Sequence, residues 1–394
     1  MAELSQKQIQ FPLGNNVTLT ELENDIHPVL HKLRAAEPVS WLPAITCWLV
    51  TDRELCVEVM RDAKTYTVDH PGFSTGQVVG PSMLSLDGAE HLHHRTPFEK
   101  PFRKREVENR FREAVSRYVD ELIDGFVADE QAELRRDFCG PIAVKTMIEA
   151  LGMDETPVKA VLGWYDTIVE AVTQVTAGKT VSSGGREAFA LLKTNLLPSL
   201  KRDPQSSLLA AAAGMAGGLT DDQIVSNAAV LLFGGIETTE GMIANALYHL
   251  FDNQPVLAQV QQDSCLIPAV IEESLRMEPA AGVIDRYTTC DVQLGEAFIK
   301  AGELVRVSLT AANRDPQTFP DPDQFDPGRD NLRSHVTWAQ GPHVCLGLHL
   351  ARLEAQTSLE QLIGRLPNLR LVSRDEARPK GLVFRKPSAL HVKF

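Results

Sequence analysis

The chain has 394 residues, 43% of them apolar, with 52 acidic against 39 basic side chains and a formal net charge of −13. That surplus excludes nucleic acid and anionic membrane as main partners, because both select basic surfaces, while the length supplies ample core for a large domain. Six cysteines (Cys47, Cys56, Cys139, Cys265, Cys290 and Cys345) are scattered without CxxC spacing, which excludes a disulfide framework and a zinc ribbon.

The opening stretch, MAELSQKQIQFPLGNN, is polar and mixed and unlike a signal peptide. No apolar run reaches the ~18 residues that mark a membrane span, so a cytoplasmic protein is expected. Residues 39–52, VSWLPAITCWLVTD, mix β-branched and aromatic residues around a proline and predict a two-strand hairpin. From about residue 90 to 275 the periodicity is mainly helical. Within it, residues 108–127 space Phe111, Val115, Tyr118, Leu122 and Phe126 at three- and four-residue steps, which predicts a core-facing stripe.

Residues 220–251 read as one long helix. Thr220 and Gln223 form a capping box, Asn253 to Pro255 supply the stop, and apolar residues on nearly all faces predict burial. The middle of this helix departs from its ends. Gly234 and Gly235 cost roughly 1 kcal/mol each relative to alanine, and Glu237, Thr238 and Thr239 are polar groups that need partners when buried. Two readings follow: a close helix crossing with the threonines bonded back to helix carbonyls, or room for a flat ligand and O₂ beside an acid–alcohol pair that relays protons.

Strand-like text returns over 288–310, and residues 313–330, NRDPQTFPDPDQFDPGRD, form a long stretch with no periodicity, a length that is often functional. Glu273 and Arg276 lie three apart on a helical face, where an ion pair is expected, and Arg329 can join them. His91 and Arg95 lie one turn apart on a helix, which suits an anionic group. Finally, WAQGPHVCLG (338–347) places Cys345 in a Gly- and Pro-rich turn ahead of a helix expected to begin near Leu346, with Leu350 and Leu353 on one face. A lone cysteine there is either a small buried hydrophobe or a thiolate facing the positive end of a helix.

Taken in chain order, H-x-x-x-R, G-G-x-E-T-T, E-x-x-R, F-x-P-x-R and G-x-H-x-C-x-G resemble the cytochrome P450 family over most of the chain. The resemblance implies a mainly α fold with a minor β region, a single helical domain over 1–394 with small sheets, and haem b (iron protoporphyrin IX) as cofactor. It makes Cys345 the axial ligand of the haem iron, with Gly341 and Gly347 letting backbone N–H groups approach the sulfur. It gives His91, Arg95, Arg286 and His343 to the haem propionates, Thr238 with Glu237 to proton delivery in oxygen activation, and Glu273, Arg276 and Arg329 to bracing the cysteine loop.

Two departures stand out. The loop opens Trp338-Ala339 where the family has Phe-Gly, so Ala339 is expected outside the left-handed region, and the Trp338 indole is expected either to bring its N–H near the sulfur or to fill volume with its N–H bonded to a carbonyl or propionate away from it. His93 stands where the family has an arginine, which removes one propionate contact.

The activity implied is insertion of one oxygen atom of O₂ into a small-to-medium hydrophobic substrate, by hydroxylation, epoxidation or O-dealkylation. Phe233, Gly234, Gly235, Val283 and Ile284 are expected at the substrate, along with loop-rich residues 68–84, 165–200 and 382–384. A ferredoxin-type donor is implied, with Lys100, Arg103, Lys104 and Arg105 either its docking patch or a solvated face. The rivals are a peroxide-driven peroxygenase, which commonly lacks the acid–alcohol pair, and a non-enzymatic haem sensor, which would not need Thr238.

Overall fold

The computed structural model describes residues 7–176, 179–215 and 217–394; residues 1–6 of the N-terminal stretch, and 177–178 of the 165–200 region, lie outside them. The helices that build the site are α1 (Gly88–Glu99), α2 (Lys104–Phe126), α3 (Gly140–Ala150), α4 (Val158–Thr176), α5 (Ser183–Leu196), α6 (Asp221–Asp252), α7 (Ile267–Met277) and α8 (Leu348–Arg365). The strands are β1 (Val39–Leu42), β2 (Cys47–Val50), β3 (Tyr66–Thr67), β4 (Gln131–Glu133), β5 (Val283–Thr288), β6 (Val292–Leu294), β7 (Ala297–Ile299), β8 (Leu304–Ser308), β9 (Arg370–Leu371) and β10 (His391–Lys393).

Helix α6 is the axis of the molecule. The Thr220 hydroxyl accepts from the Gln223 N–H and the Gln223 side chain accepts from the Thr220 N–H, so the capping box closes as expected. Asp221 and Asp222 in the first turn suit the positive end of the helix dipole. From Ile224 to Phe251 the helix is buried on most sides, between α3, α7 and α8. It runs unbroken through Gly234 and Gly235.

Helix α2 lies along α8, and α4 along α5. The core stripe of α2 differs from expectation: Phe111, Val115 and Phe126 are buried with Ala114, Val119 and Ile123, whereas Tyr118 and Leu122 are half-buried at its edge. Helix α2 is buried along a line that drifts by one residue over its length, because 3.6 residues per turn do not repeat in register.

The hairpin of β1 and β2 forms as predicted, with Trp41 opposite Trp48. It extends into a five-stranded sheet in the order β1-β2-β8-β5-β3, where β2 and β8 are parallel and the other neighbours antiparallel. Strand text begins earlier than expected, at Val283, which places Arg286 inside β5. A three-stranded sheet, β4-β10-β9, ties residues 131–133 to the C-terminal strand and interrupts the helical run. The main apolar core surrounds α2, α3, α6 and α8, and a second lies under the five-stranded sheet around Trp41, Trp48, Val305 and Val307. No helix of the described residues is long and apolar enough to cross a membrane.

Candidate functional site

Cys345 lies three residues before the first residue of α8, which begins at Leu348 with Gly347 as N-cap, slightly later than expected. Its N–H donates to the Trp338 carbonyl at 2.8 Å, closing the turn. Burial pushes the thiol pKa up; the backbone N–H groups of Gly347 and Leu348, with the charges of Arg95 and Arg352, pull it down, and burial prevails. The loop is thus built to stabilise a thiolate once a cation or metal sits against the sulfur.

The two other unusual positions in this loop do different work. Gly341 has φ +73°, and a Cβ there would lie 2.7 Å from the Met60 carbonyl oxygen, so glycine lets the loop seat against the end of helix Arg53–Arg61. Ala339 also has a positive φ, +59°, inside the left-handed region from which it was expected to stay clear. The turn geometry is kept although the residue has changed, at a strain of roughly 1–2 kcal/mol.

Of the two readings of Trp338, a bond from its N–H to the sulfur is not seen. Its indole N–H is buried and finds no hydrogen-bond acceptor among the described residues, the Cys345 sulfur included. The ring instead carries the Arg352 guanidinium 4.8 Å above its centre. Arg352 in turn bonds both oxygens of Glu272, at 2.6 and 2.9 Å, and the His335 ring is 3.1 Å from the same carboxylate. Burial alone would raise the Glu272 pKa; His335 and Arg352 together hold it down at about 2.

Below this lies the expected brace. Arg276 is fully buried and bonds Glu273 through two contacts of 2.7 Å, while Arg329 Nε reaches Glu273 Oε1 at 2.9 Å. The aperiodic 313–330 stretch wraps this pair: the carbonyls of Asn313, Pro322 and Gln324 accept from Arg276 at 2.8–3.1 Å. A buried guanidinium left unpaired would be costly, so the charge dictates the loop's path.

His91, Arg95, Arg286 and His343 gather on the other side of the cysteine turn. The His91 and His343 rings are 4.3 Å apart, and Arg95 Nη2 donates to the Val344 carbonyl at 2.8 Å. His91 Nε2 and Arg286 Nη2 are buried and have no partner among the described residues. Burial, and then the neighbouring His343 and Arg95, push the His91 pKa down to about 4. The local charge balance includes Asp87, at the N-cap of α1, which was not foreseen. Its carboxylate accepts from His343 Nε2 at 2.8 Å, from the Thr67 hydroxyl and from the Val68 N–H, and these outweigh burial to hold it at about 2. Two orphaned donors beside two further bases form a site for carboxylate groups. His93 is exposed, edge-on to the buried His94 ring.

The α6 glycines divide the two readings between them. A Cβ on Gly235 would lie 2.3 Å from the Met147 sulfur, so this glycine serves a close crossing with α3; a Cβ on Gly234 would meet nothing within 4 Å. Thr238, one turn on, donates its hydroxyl back to the Gly234 carbonyl. Glu237 turns to a different face, where Tyr165 donates to it at 2.6 Å and Lys386 lies 2.7 Å away. Neither partner was anticipated, because residues on α4 and near the C-terminus share no periodicity with α6.

Of the other residues expected at the substrate, Phe233 is half-buried with its ring 6.0 Å from Tyr165. Val283 is packed in a small core cluster with Leu42, Leu49 and Leu382, and Ile284 packs against the sheet core. Val383 and Phe384 are both 42% exposed. Lys100, Arg103, Lys104 and Arg105 are exposed, and Lys104 is near enough to His349 at the start of α8 to depress its pKa, after burial and Arg352.

The profile of the cytochrome P450 family matches residues 193–386. Cytochrome P450 107B1 of Saccharopolyspora erythraea is 33% identical over 78% of this chain and 75% of its own. Nocardicin C N-oxygenase of Nocardia uniformis is 32% identical over 97% of this chain and 98% of its own. In three dimensions the chain is similar to P450BioI, crystallised with a hexadec-9Z-enoic-acid-ligated acyl carrier protein (TM-score 0.84, 27% identity, 94% of this chain and 98% of that one). It is also similar to CYP109Q5 from Chondromyces apiculatus (TM-score 0.84, 28% identity, 95% and 96%). The ordered motifs, the helical architecture and these relatives agree: the chain belongs to the cytochrome P450 family of monooxygenases, whose cofactor is haem.

Proposed function

We propose that this chain binds haem b, whose iron the Cys345 thiolate would hold, and inserts one oxygen atom of O₂ into a small-to-medium hydrophobic substrate. The observation that carries the assignment is the pair of orphaned buried donors, His91 Nε2 and Arg286 Nη2, beside the Cys345 turn. Haem brings a metal for the thiolate and two carboxylates for these donors, with Arg95 and His343 completing the cradle. When bound, it would supply the reductive activation of O₂.

The chain's own residues do the rest. Gly347 and Leu348 direct N–H groups at the sulfur, and the ion pairs of Glu273 and Glu272 fix the turn that carries it. Gly234 leaves space beside α6, and Thr238 holds a hydroxyl at the edge of that space. Glu237, the residue before it, is bonded by Tyr165 and Lys386 on a different face of α6, and is the acid assigned to resupply protons to that hydroxyl. The pairing of Glu237 with Thr238 favours O₂-dependent turnover over peroxide-driven chemistry or passive haem carriage. The basic residues 100–105 beside α8 fit the acidic surface of a ferredoxin-type donor, and the reaction is assigned to the cytoplasm.

The test is spectroscopic. The reduced protein with CO should show the strongly red-shifted Soret band of thiolate-ligated haem, and Cys345→Ser should lose it. A wild-type spectrum like that of a histidine-ligated globin overturns the assignment.

A further inference from the structure

The N-terminal segment folds onto the hairpin of β1 and β2. Residues 7–10 are helical, and the Phe11 N–H donates to the Lys7 carbonyl at 2.9 Å, which puts Lys7 and Phe11 on one face, a turn apart. Both reach the same indole. The Phe11 ring stands edge-on to Trp48 with centroids 5.1 Å apart, while Lys7 Nζ lies 5.2 Å from the centre of the Trp48 ring and 4.4 Å from that of Trp41. Glu303 closes the enclosure with an ion pair to the Lys7 ammonium.

The walls of this enclosure are set without Lys7. Trp41 and Trp48 stand directly opposite each other in the antiparallel pair, so both rings rise from the same face of the sheet. Their centroids are 5.5 Å apart and their planes 67° apart, which makes a corner. Trp48 pairs with Val305, two residues past Glu303, so the chain entering β8 brings the carboxylate to that same face. Glu303 Oε2 accepts from Trp48 Nε1 at 2.8 Å and from the Lys300 N–H at 3.2 Å, which leaves Oε1 for Lys7. Trp41 and Trp48 are buried, at 5% and 1% exposure, whereas the Lys7 and Glu303 side chains keep 11% and 22%. The corner therefore opens to solvent where Lys7 enters it. Two indole faces and a preset carboxylate are the chemistry that recognises an organic cation.

Lys7 matches this corner incompletely. An ammonium carries three donors and no acceptor, and the Trp41 N–H is buried with no partner among the described residues. Lysine is also strongly hydrated and gives up side-chain freedom when it is held. A quaternary ammonium has no N–H to strip of water and lays methyl groups against both rings. With an oxygen on a short arm, it also offers the acceptor that the Trp41 N–H lacks.

We propose that Trp41, Trp48 and Glu303 form a receptor for a small quaternary ammonium ion bearing an oxygen acceptor, choline in chemical class, and that Lys7 is the chain's own plug for it. Binding is an exchange of cations: the Lys7 side chain swings out to water, the ligand takes its place, and Glu303 keeps one positive partner throughout. No covalent bond changes. Trp48 lies too deep for the headgroups of a bilayer to reach, so the ligand is a free ion. The core around these rings contains no residue of α6, which separates the receptor from the substrate space proposed beside Gly234.

The experiment follows the indole N–H resonances of the haem-loaded, ¹⁵N-labelled full chain, those of Trp41 and Trp48 being identified by their loss in Trp41→Phe and Trp48→Phe. Choline chloride, titrated at constant ionic strength, should shift both saturably in Lys7→Ala, or in Lys7→Gln if the alanine variant folds poorly. The wild type should bind about tenfold more weakly, because a tethered competitor acts at millimolar effective concentration. Adding Glu303→Gln to Lys7→Ala should weaken choline about threefold, as expected for the loss of one part-exposed ion pair. The neutral isostere 3,3-dimethyl-1-butanol and phosphatidylcholine vesicles should shift neither resonance. If the isostere binds as tightly as choline, or if Lys7→Ala gains nothing over the wild type, the receptor is overturned and Lys7 is only an anchor for the N-terminal segment. A response to vesicles without one to choline overturns the assignment to a free ion.

Discussion

The turn around Cys345 and the middle of α6 both break ordinary backbone preferences, and they do so in opposite ways. The turn is over-determined: two ion-pair systems, Glu273 with Arg276 and Arg329, and Glu272 with Arg352 and His335, hold it from below. So firmly is it held that Ala339 keeps a left-handed backbone that suits glycine. The middle of α6 is under-filled. Gly234 faces open space, Thr238 has only a backbone carbonyl for a partner among the described residues, and Glu237 shares its cation. On the proposed assignment Cys345 would be a metal ligand, which needs one fixed position, so that region accepts strain in return for rigidity. On the same assignment the second region would be a reaction space with a proton relay, which needs room, so it gives up packing.

The sharpest way to break this contrast is to unpin the turn. Glu273→Gln leaves Arg276, fully buried, without its carboxylate, and breaking such a pair costs about 3–5 kcal/mol. Thermal unfolding should show a loss of that size, with haem content falling in parallel. A variant that melts like the wild type and keeps its haem would mean that the turn is held by its own backbone.

The glycine pair sharpens the other half. Gly235→Ala drives a methyl into Met147 and should destabilise the chain by about 1–3 kcal/mol. Gly234→Ala meets no neighbour, so the helix gains up to about 1 kcal/mol from the lost glycine entropy. The added methyl intrudes on the open space, however, and should weaken the spin-state response of the haem to apolar ligands. Two adjacent substitutions of the same kind thus carry opposite signs in stability. Equal effects at both positions would mean that α6 has no open face at Gly234.

A smaller effect of the same logic is expected in the turn. Ala339→Gly relieves a positive φ and should raise stability by about 1 kcal/mol with the CO spectrum unchanged. Unchanged thermal stability would show that the alanine backbone is relaxed in solution.

How much of this was legible in the sequence follows from the range of the interactions. The capping box of α6 and the Glu273–Arg276 pair are contacts over three residues, and both formed as spaced. The cysteine turn was visible because its constraints are packed into ten residues. Lys386 was invisible: it meets Glu237 only because β10 pairs with β4, which brings the C-terminal segment against α3 and α6. The split between Gly234 and Gly235 was also hidden, since which glycine faces α3 depends on the rotation of α6 against Met147. The left-handed Ala339 went against its residue type because tertiary bracing outweighed local preference.

The faintest signal expected comes from Trp338, which belongs to both halves of the contrast. Its ring is clamped under Arg352, as befits the braced turn, yet its N–H is buried without an acceptor among the described residues, as in an unfinished site. A buried donor left unpaired costs about 1–3 kcal/mol, so Trp338→Phe should stabilise the haem-free chain slightly. The indole gains by haem binding only if the cofactor or its sulfur shell supplies the missing acceptor. A donor near the thiolate withdraws electron density and favours the reduced metal. If that contact is worth about 1 kcal/mol, Trp338→Phe should lower the reduction potential by roughly 40 mV for a one-electron couple, with haem content and the CO band nearly intact. Redox titration of the two proteins decides it: an unchanged potential would leave Trp338 as a packing surface for Arg352 and remove it from the thiolate's environment.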